Sequence, residues 1–161
     1  MSTVVDVEAT DEYANLSAEE AQLQFDEFRR SDALAIGTKI VELARNYPDP
    51  VAVEITVNGL AVFRCFTDGA LADSELWLER KRRVVDLMAM SSLRFMHWLD
   101  MNGETLESRK LNPADYAPGG GGFPIVLRNA GMIGSICVSG MDDHLDDHKL
   151  VIEALAAHLG P

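Results

Sequence analysis

Positive charge is scarce in this chain. It has 14 Lys and Arg against 26 Asp and Glu over 161 residues, a formal net charge of −12. Such a surface repels phosphate, which speaks against duplex DNA, RNA and anionic membranes as partners. Cysteine is scarce too. Cys65 and Cys137 are the only two, each in an apolar, strand-like run, and they read as buried free thiols rather than a disulfide framework. No apolar run approaches membrane-spanning length. No charged start followed by an apolar stretch marks a signal peptide. These absences lead us to expect a cytoplasmic protein. What is present is ordinary for one folded domain, 47% hydrophobic and 25% charged residues, enough to build a real core.

Along the chain, residues 1–16 are polar and acidic without a clear period and read as a loose N-terminal tail. A single domain is expected over 17–161. Ser17 and Glu20 in "SAEE" form a capping box that predicts a helix to about Arg30. Ser31 or Asp32 then caps a second helix, with Leu34, Ile36, Ile40, Val41 and Leu43 available for a core face, and Pro48 and Pro50 end it. "VAVEITVNGLAVFRCF" predicts a hairpin turning at Asn58-Gly59. Asp73 or Ser74 opens a long helix to about Met101, closed by Gly103. Asn112 and Pro113 suit one short helical turn. A second hairpin follows over "FPIVLR" and "MIGSICVSG", and the last helix starts between Asp142 and Asp146. With no repeat and no shift in composition, the order predicts an α+β domain, an antiparallel sheet carrying helices.

The long helix places charge where apolar residues belong. At about 100° per residue, Trp77, Val84, Met88, Phe95 and Trp98 share one stripe, and Arg80, Lys81 and Ser91 fall on it as well. Arg82 and Arg83 point elsewhere and read as solvated. A cation in an apolar stripe must reach water or meet an anion. Arg80 and Lys81 therefore either snorkel, pair with acids of this chain or a neighbouring copy, or line a pocket for a ligand carboxylate or phosphate. Met88, Met90, Met96 and Met101 read as core filling.

"YAPGGGGFPI" over 116–125 is the other unusual stretch. It is not a phosphate-binding loop, because the glycines precede a strand and no Lys-Ser or Lys-Thr follows. The same topology makes it a poor dinucleotide fingerprint. A linker, or a bare backbone wall that something approaches closely, are the other readings.

"GGFPI", "GMIGSICVSG" and the "DDH" of "MDDHLDDHKLV" together resemble the HbpS/GlcG-like family, the haem-degrading domain. Trp77, Arg80 and Lys81 match a Trp-x-x-Arg-Lys pattern of its uncharacterised branch, Ser91-Ser92 a Ser-Ser pair, and Asp147-His148 an Asp-His that opens the final helix. The resemblance covers about residues 17–159. It implies a profilin-like fold, a central antiparallel sheet with flanking helices, assembled into homo-oligomers, with haem or another tetrapyrrole as a ligand. The family's pattern resembles Tyr-Ala-x-His-Gly-Gly ahead of the strand, and this chain has Gly119 where that His would stand.

His144 and His148 lie four apart among Asp142, Asp143, Asp146 and Asp147. That spacing suits a divalent metal on a helix, but acids at a helix start are also ordinary capping, and no metal site is assigned. His97 and His158 read as surface or packing residues. No nucleophile elbow is present.

The expected function is an oligomeric protein that binds an anionic small molecule. Arg80 and Lys81 neutralise it, Trp77 packs on it, the backbone at Gly120, Gly121, Gly122 and Phe123 forms a wall, and His148 supplies a polar contact. The alternatives are an enzyme acting on a tetrapyrrole or small acid through His148, and a ligand-free structural adaptor with Arg80 and Lys81 at subunit interfaces.

Overall fold

The computed structural model describes residues 6–161. The element order is α1 (Val7–Gln22), α2 (Arg30–Ala44), β1 (Ala52–Val57), β2 (Leu60–Phe66), α3 (Ser74–Met88), α4 (Ser92–Asn102), β3 (Gly122–Leu127), β4 (Gly131–Ser139) and α5 (His144–Leu159). The strands form one antiparallel sheet in the order β2-β1-β4-β3. This is the expected α+β architecture. The first hairpin turns at Asn58 and Gly59, both with positive φ, 50° and 81°.

Side chains alternate across the sheet. Val53, Ile55, Ile136, Val138, Phe123 and Ile125 face α2 and α5 and join Ile36, Ile40, Leu150 and Leu155 in the main core. The opposite face meets α3, where Leu78 packs on Ala52 and Cys137. Burial pushes the Cys137 thiol up to about 12, so it stays an un-ionised apolar filler. α1 lies against α4, beyond α3.

Several expectations change. The first helix begins at Val7, where the Asp6 carboxylate accepts from the Ala9 N–H, and ends at Gln22, not Arg30. Ser17 is an interior helical residue, so residues 7–16 are helical and not a tail; the part of that expectation covering residues 1–5 lies outside the described residues. Past the helix, Phe25 runs beside β3 as a single parallel bridge to Leu127, with Phe25 N–H donating to the Val126 carbonyl and Arg128 N–H to the Phe25 carbonyl. In α2, Leu34 is 61% exposed and faces away from the core. The Asp32 carboxylate accepts from the Arg29 N–H at 2.7 Å and so closes the helix start, and it also meets His158 at 2.9 Å.

The predicted long helix is two helices. Ala89 adopts a left-handed φ of 53°, and Ser91 caps α4 by accepting from the Arg94 N–H at 3.1 Å. A left-handed turn at a residue with a Cβ costs about 1–2 kcal/mol. Against it stand the burial of Met90, Phe95 and Leu99 and the Glu20 carboxylate, which accepts from Ser91 N–H at 3.0 Å and Ser91 O–H at 3.2 Å. The break lets α4 turn back over α1 while α3 stays on the sheet.

Candidate functional site

Leu78 seats the first turns of α3 on the sheet, and Lys81, one turn on, points toward the end of β4. Its ammonium donates to the Val138 carbonyl at 2.9 Å and to Asp147 Oδ2 of α5 at 3.1 Å. Both side chains are almost fully buried. The other Asp147 oxygen accepts from Met141 N–H. Burial pushes the Asp147 carboxyl up to about 6, with Lys81 pulling the other way. The charge of Lys81 is therefore answered within the chain, which is one of the three readings that the sequence left open.

Arg80 lies differently. Its guanidinium stacks on the Trp77 indole, 4.2 Å from the ring centroid, and donates to the Pro113 carbonyl. Such a stack is worth about 0.5–1 kcal/mol at an exposed site. Arg82 and Arg83, read as solvated, are paired: Arg82 with Glu54 at 2.8 Å, and Arg83 with Glu79 and Asp115 at 2.8 and 3.2 Å. Glu54 is buried on the α3 face of β1, so a cation on that face of the helix is required to offset its charge.

The glycines are bare mainly for internal packing. A Cβ on Gly120 would lie 2.0 Å from the His144 carbonyl oxygen, and one on Gly121, which has a φ of +129°, would lie 2.2 Å from the Val138 carbonyl oxygen and 2.7 Å from Lys81 Nζ. Gly122 abuts Val85 and Ser92, and Ser92 Oγ accepts its N–H at 2.9 Å. The segment is thus wedged between α3, β4 and the head of α5. Only its leading end, Gly119 and Gly120, faces open space.

That end opens on a cleft of about 710 Å³. Trp77, Pro118, Gly119 and Gly120 line its sides, Lys81 and Asp147 its floor, and His144 its rim. Of the residues singled out from the sequence, Trp77, Lys81 and Gly120 line this cleft. Arg80 lies behind the indole, and Gly121, Gly122 and Phe123 run inward from it. His148 is buried behind the segment, its Nε2 2.8 Å from Glu19 and its ring 6.2 Å from that of Phe123.

His144 and His148 do not converge on a shared metal position: His144 Nδ1 accepts from the Gly120 N–H at 2.8 Å, while His148 turns to α1. Sequence reasoning left His144 without a role and did not connect Asp147 to Lys81. The two are 66 residues apart, and only the closing of α5 onto α3 joins them.

No helix among the described residues is long and apolar enough to cross a membrane. Similar proteins place the fold. The chain is 38% identical over 148 residues to a UPF0303 protein of Streptomyces coelicolor, covering 91% of this chain and 93% of that one. Its structure resembles the crystal structure of the Ybr137w protein at a TM-score of 0.82, with 23% identity and 98% of each chain covered. It resembles the PduOC:heme complex at a TM-score of 0.64, with 22% identity over 79% of this chain and 94% of that one. A family model described as haem degrading protein HbpS-like matches residues 28–156, most of the sheet and its helices, and the chain belongs to this HbpS-like family.

Proposed function

We propose that this chain binds a small molecule in the cleft between α3, residues 117–120 and the head of α5. A flat apolar body lies against Trp77 and an anionic group reaches toward Lys81. The observation that carries this reading is the indole itself. Trp77 is 43% exposed at the mouth of the cleft, with one face held by Arg80, while the floor carries a buried ammonium. An apolar cleft of this volume with a few converging polar groups is the usual form of a ligand site.

The family's description and the heme complex of PduOC make haem the ligand to test first. The volume suits a tetrapyrrole. The donor set does not suit histidine ligation of its iron: Gly119 carries no side chain, and His148 faces Glu19 behind the segment. The adaptor alternative loses part of its ground because Lys81 finds its acid inside the chain. We further propose that copies of the chain associate. Leu71, 69% exposed beside Trp77 at the same mouth, supports this.

Titration of the purified protein with haemin, followed by tryptophan fluorescence and the Soret band, tests the reading. Saturable binding at one site per chain is expected, weakened about tenfold by Trp77→Ala, the scale of a lost aromatic contact. Undiminished binding by Trp77→Ala moves the ligand out of this cleft. Native mass spectrometry of untreated protein reports the retained ligand and the number of copies together.

A further inference from the structure

We infer that Lys81 is a nucleophile as well as a structural cation, and that this cleft condenses its amine with an uncharged aromatic aldehyde to form an imine. This chemistry uses the cleft of the reading above, needs no anionic ligand, and stands or falls separately from haem binding.

The chain has four lysines, Lys39, Lys81, Lys110 and Lys149. Lys110 and Lys149 are exposed, whereas Lys81 is 6% exposed. Its head lies between the Val138 carbonyl at 2.9 Å and Asp147 Oδ2 at 3.1 Å. Asp147 lines the cleft with it, as do Ser139, Gly140 and Met141, the residues that follow Val138. The amine end of the side chain is therefore the end that borders the open space.

An ammonium has no lone pair, so a lysine nucleophile needs a group that takes its proton. Asp147 stands in that place. It touches Nζ and is almost fully buried. Burial pushes its carboxyl up to about 6, so it holds a proton better than an ordinary carboxylate. The Met141 N–H fixes its other oxygen. One proton passes from Nζ to Asp147. The nitrogen lone pair then bonds to the carbonyl carbon while the C=O pair moves to oxygen. A second nitrogen proton transfers to that oxygen, Asp147 returns its own, and the C–O bond breaks to release water into the cleft. The product is a protonated imine beside the Asp147 carboxylate. A buried charge pair stands at the end as at the start, so no charge is stranded.

The lining sets the class of carbonyl. Asp49, Asp73 and Asp142 border the same space and disfavour an aldehyde that carries a negative group. Trp77, Met96 and Met141 supply flat and apolar surface, which suits an aromatic ring.

Naphthaldehyde with sodium cyanoborohydride, which reduces an imine to a stable amine, is the probe. Peptide mapping by mass spectrometry reads the label at each lysine of the full chain at neutral pH. Lys81 is expected to label at least about tenfold faster than Lys110 or Lys149, within what a positioned proton-transfer group supplies. Asp147→Asn slows Lys81 at least about tenfold and leaves the two exposed lysines unchanged. Trp77→Ala slows labelling of Lys81 by naphthaldehyde about tenfold, but not by acetaldehyde, which has no ring to stack. Wild-type Lys81 labelling no faster than the exposed lysines overturns the inference, and that comparison needs no variant to fold. Undiminished labelling of Lys81 in Asp147→Asn, shown to be folded by circular dichroism, or of Lys81 by naphthaldehyde in Trp77→Ala, overturns it as well. Haemin binding without selective labelling keeps the haem reading and removes this one; selective labelling without haemin binding does the reverse.

Discussion

Along β1, Val53 and Ile55 turn toward α2 and α5, whereas Ala52, Glu54 and Thr56 turn toward α3. The first side is dry: its partners are Ile36, Ile40, Leu150 and Leu155, all fully buried. The second side is wired. Glu54 holds Arg82 and Arg64, Thr56 shares a hydrogen bond with Ser135 at 2.9 Å, and at the sheet's end Lys81 holds Asp147. Apolar area stabilises the first in proportion to what is buried, about 25 cal/mol per Å². The second depends on named partners, and each group becomes a liability once its partner is removed. The candidate cleft opens on the wired side, which is also the side less tolerant of losing one partner.

Paired substitutions sharpen this contrast most. Lys81→Ala strands Asp147 and is expected to cost about 3–5 kcal/mol in urea unfolding. Leu150→Ala on the dry side costs about 2–5 kcal/mol by leaving a cavity. Only the wired side can be rescued by a second change: Lys81→Met with Asp147→Leu restores wild-type stability or better, because two buried charges leave together. If the double variant is no more stable than Lys81→Ala, the two sides do not differ in kind.

Next in size is Gly120→Ala, expected to cost about 1–3 kcal/mol through overpacking against the His144 carbonyl. It also loosens the hold of Gly120 on His144, read by the His144 imidazole resonances. An unchanged stability places the segment's rigidity elsewhere.

The smallest effect is on pH dependence. Folded Asp147 keeps its proton up to about pH 6, against an ordinary value of 3.8, because burial outweighs the pull of Lys81. Between these values the native state holds more protons than the unfolded chain. This group therefore adds stability as pH falls from 6 toward 4, and that contribution is absent above 6. Glu20, raised by its own burial against Arg94, acts with the same sign. The difference between wild type and Asp147→Asn isolates Asp147: subtracting the variant's stability from the wild type's gives a value that increases over this window on acidification. A flat difference profile shows that Asp147 titrates alike in both states.

Much of the frame was legible from the sequence because its signals are local. Asn58-Gly59 turned the first hairpin, the acid-rich start of α5 fell within the expected span, and the order of elements predicted the sheet. Other parts were hidden because their causes lie far along the chain. The break at Ala89 to Ser91 interrupts an apolar period that runs straight through it; Ser91 is a cap former, but its second partner is Glu20 on α1. The glycines looked open because the atoms that crowd them, the carbonyls of Val138 and His144, arrive with β4 and α5. Lys81 looked unanswered for the same reason. Trp77, Lys81 and Gly120, singled out from the sequence, line the candidate cleft, and so does His144, which the sequence offered only as half of a metal-like pair with His148.

The bridge of Phe25 to Leu127 has a consequence for growth of the sheet. It pairs with only the Leu127 end of the outer border at β3; among the described residues the rest of that border and the border at β2 have no strand partner. A further strand that adds at β3 has to pair short of Leu127 or displace Phe25, whereas one that adds at β2 meets no such block.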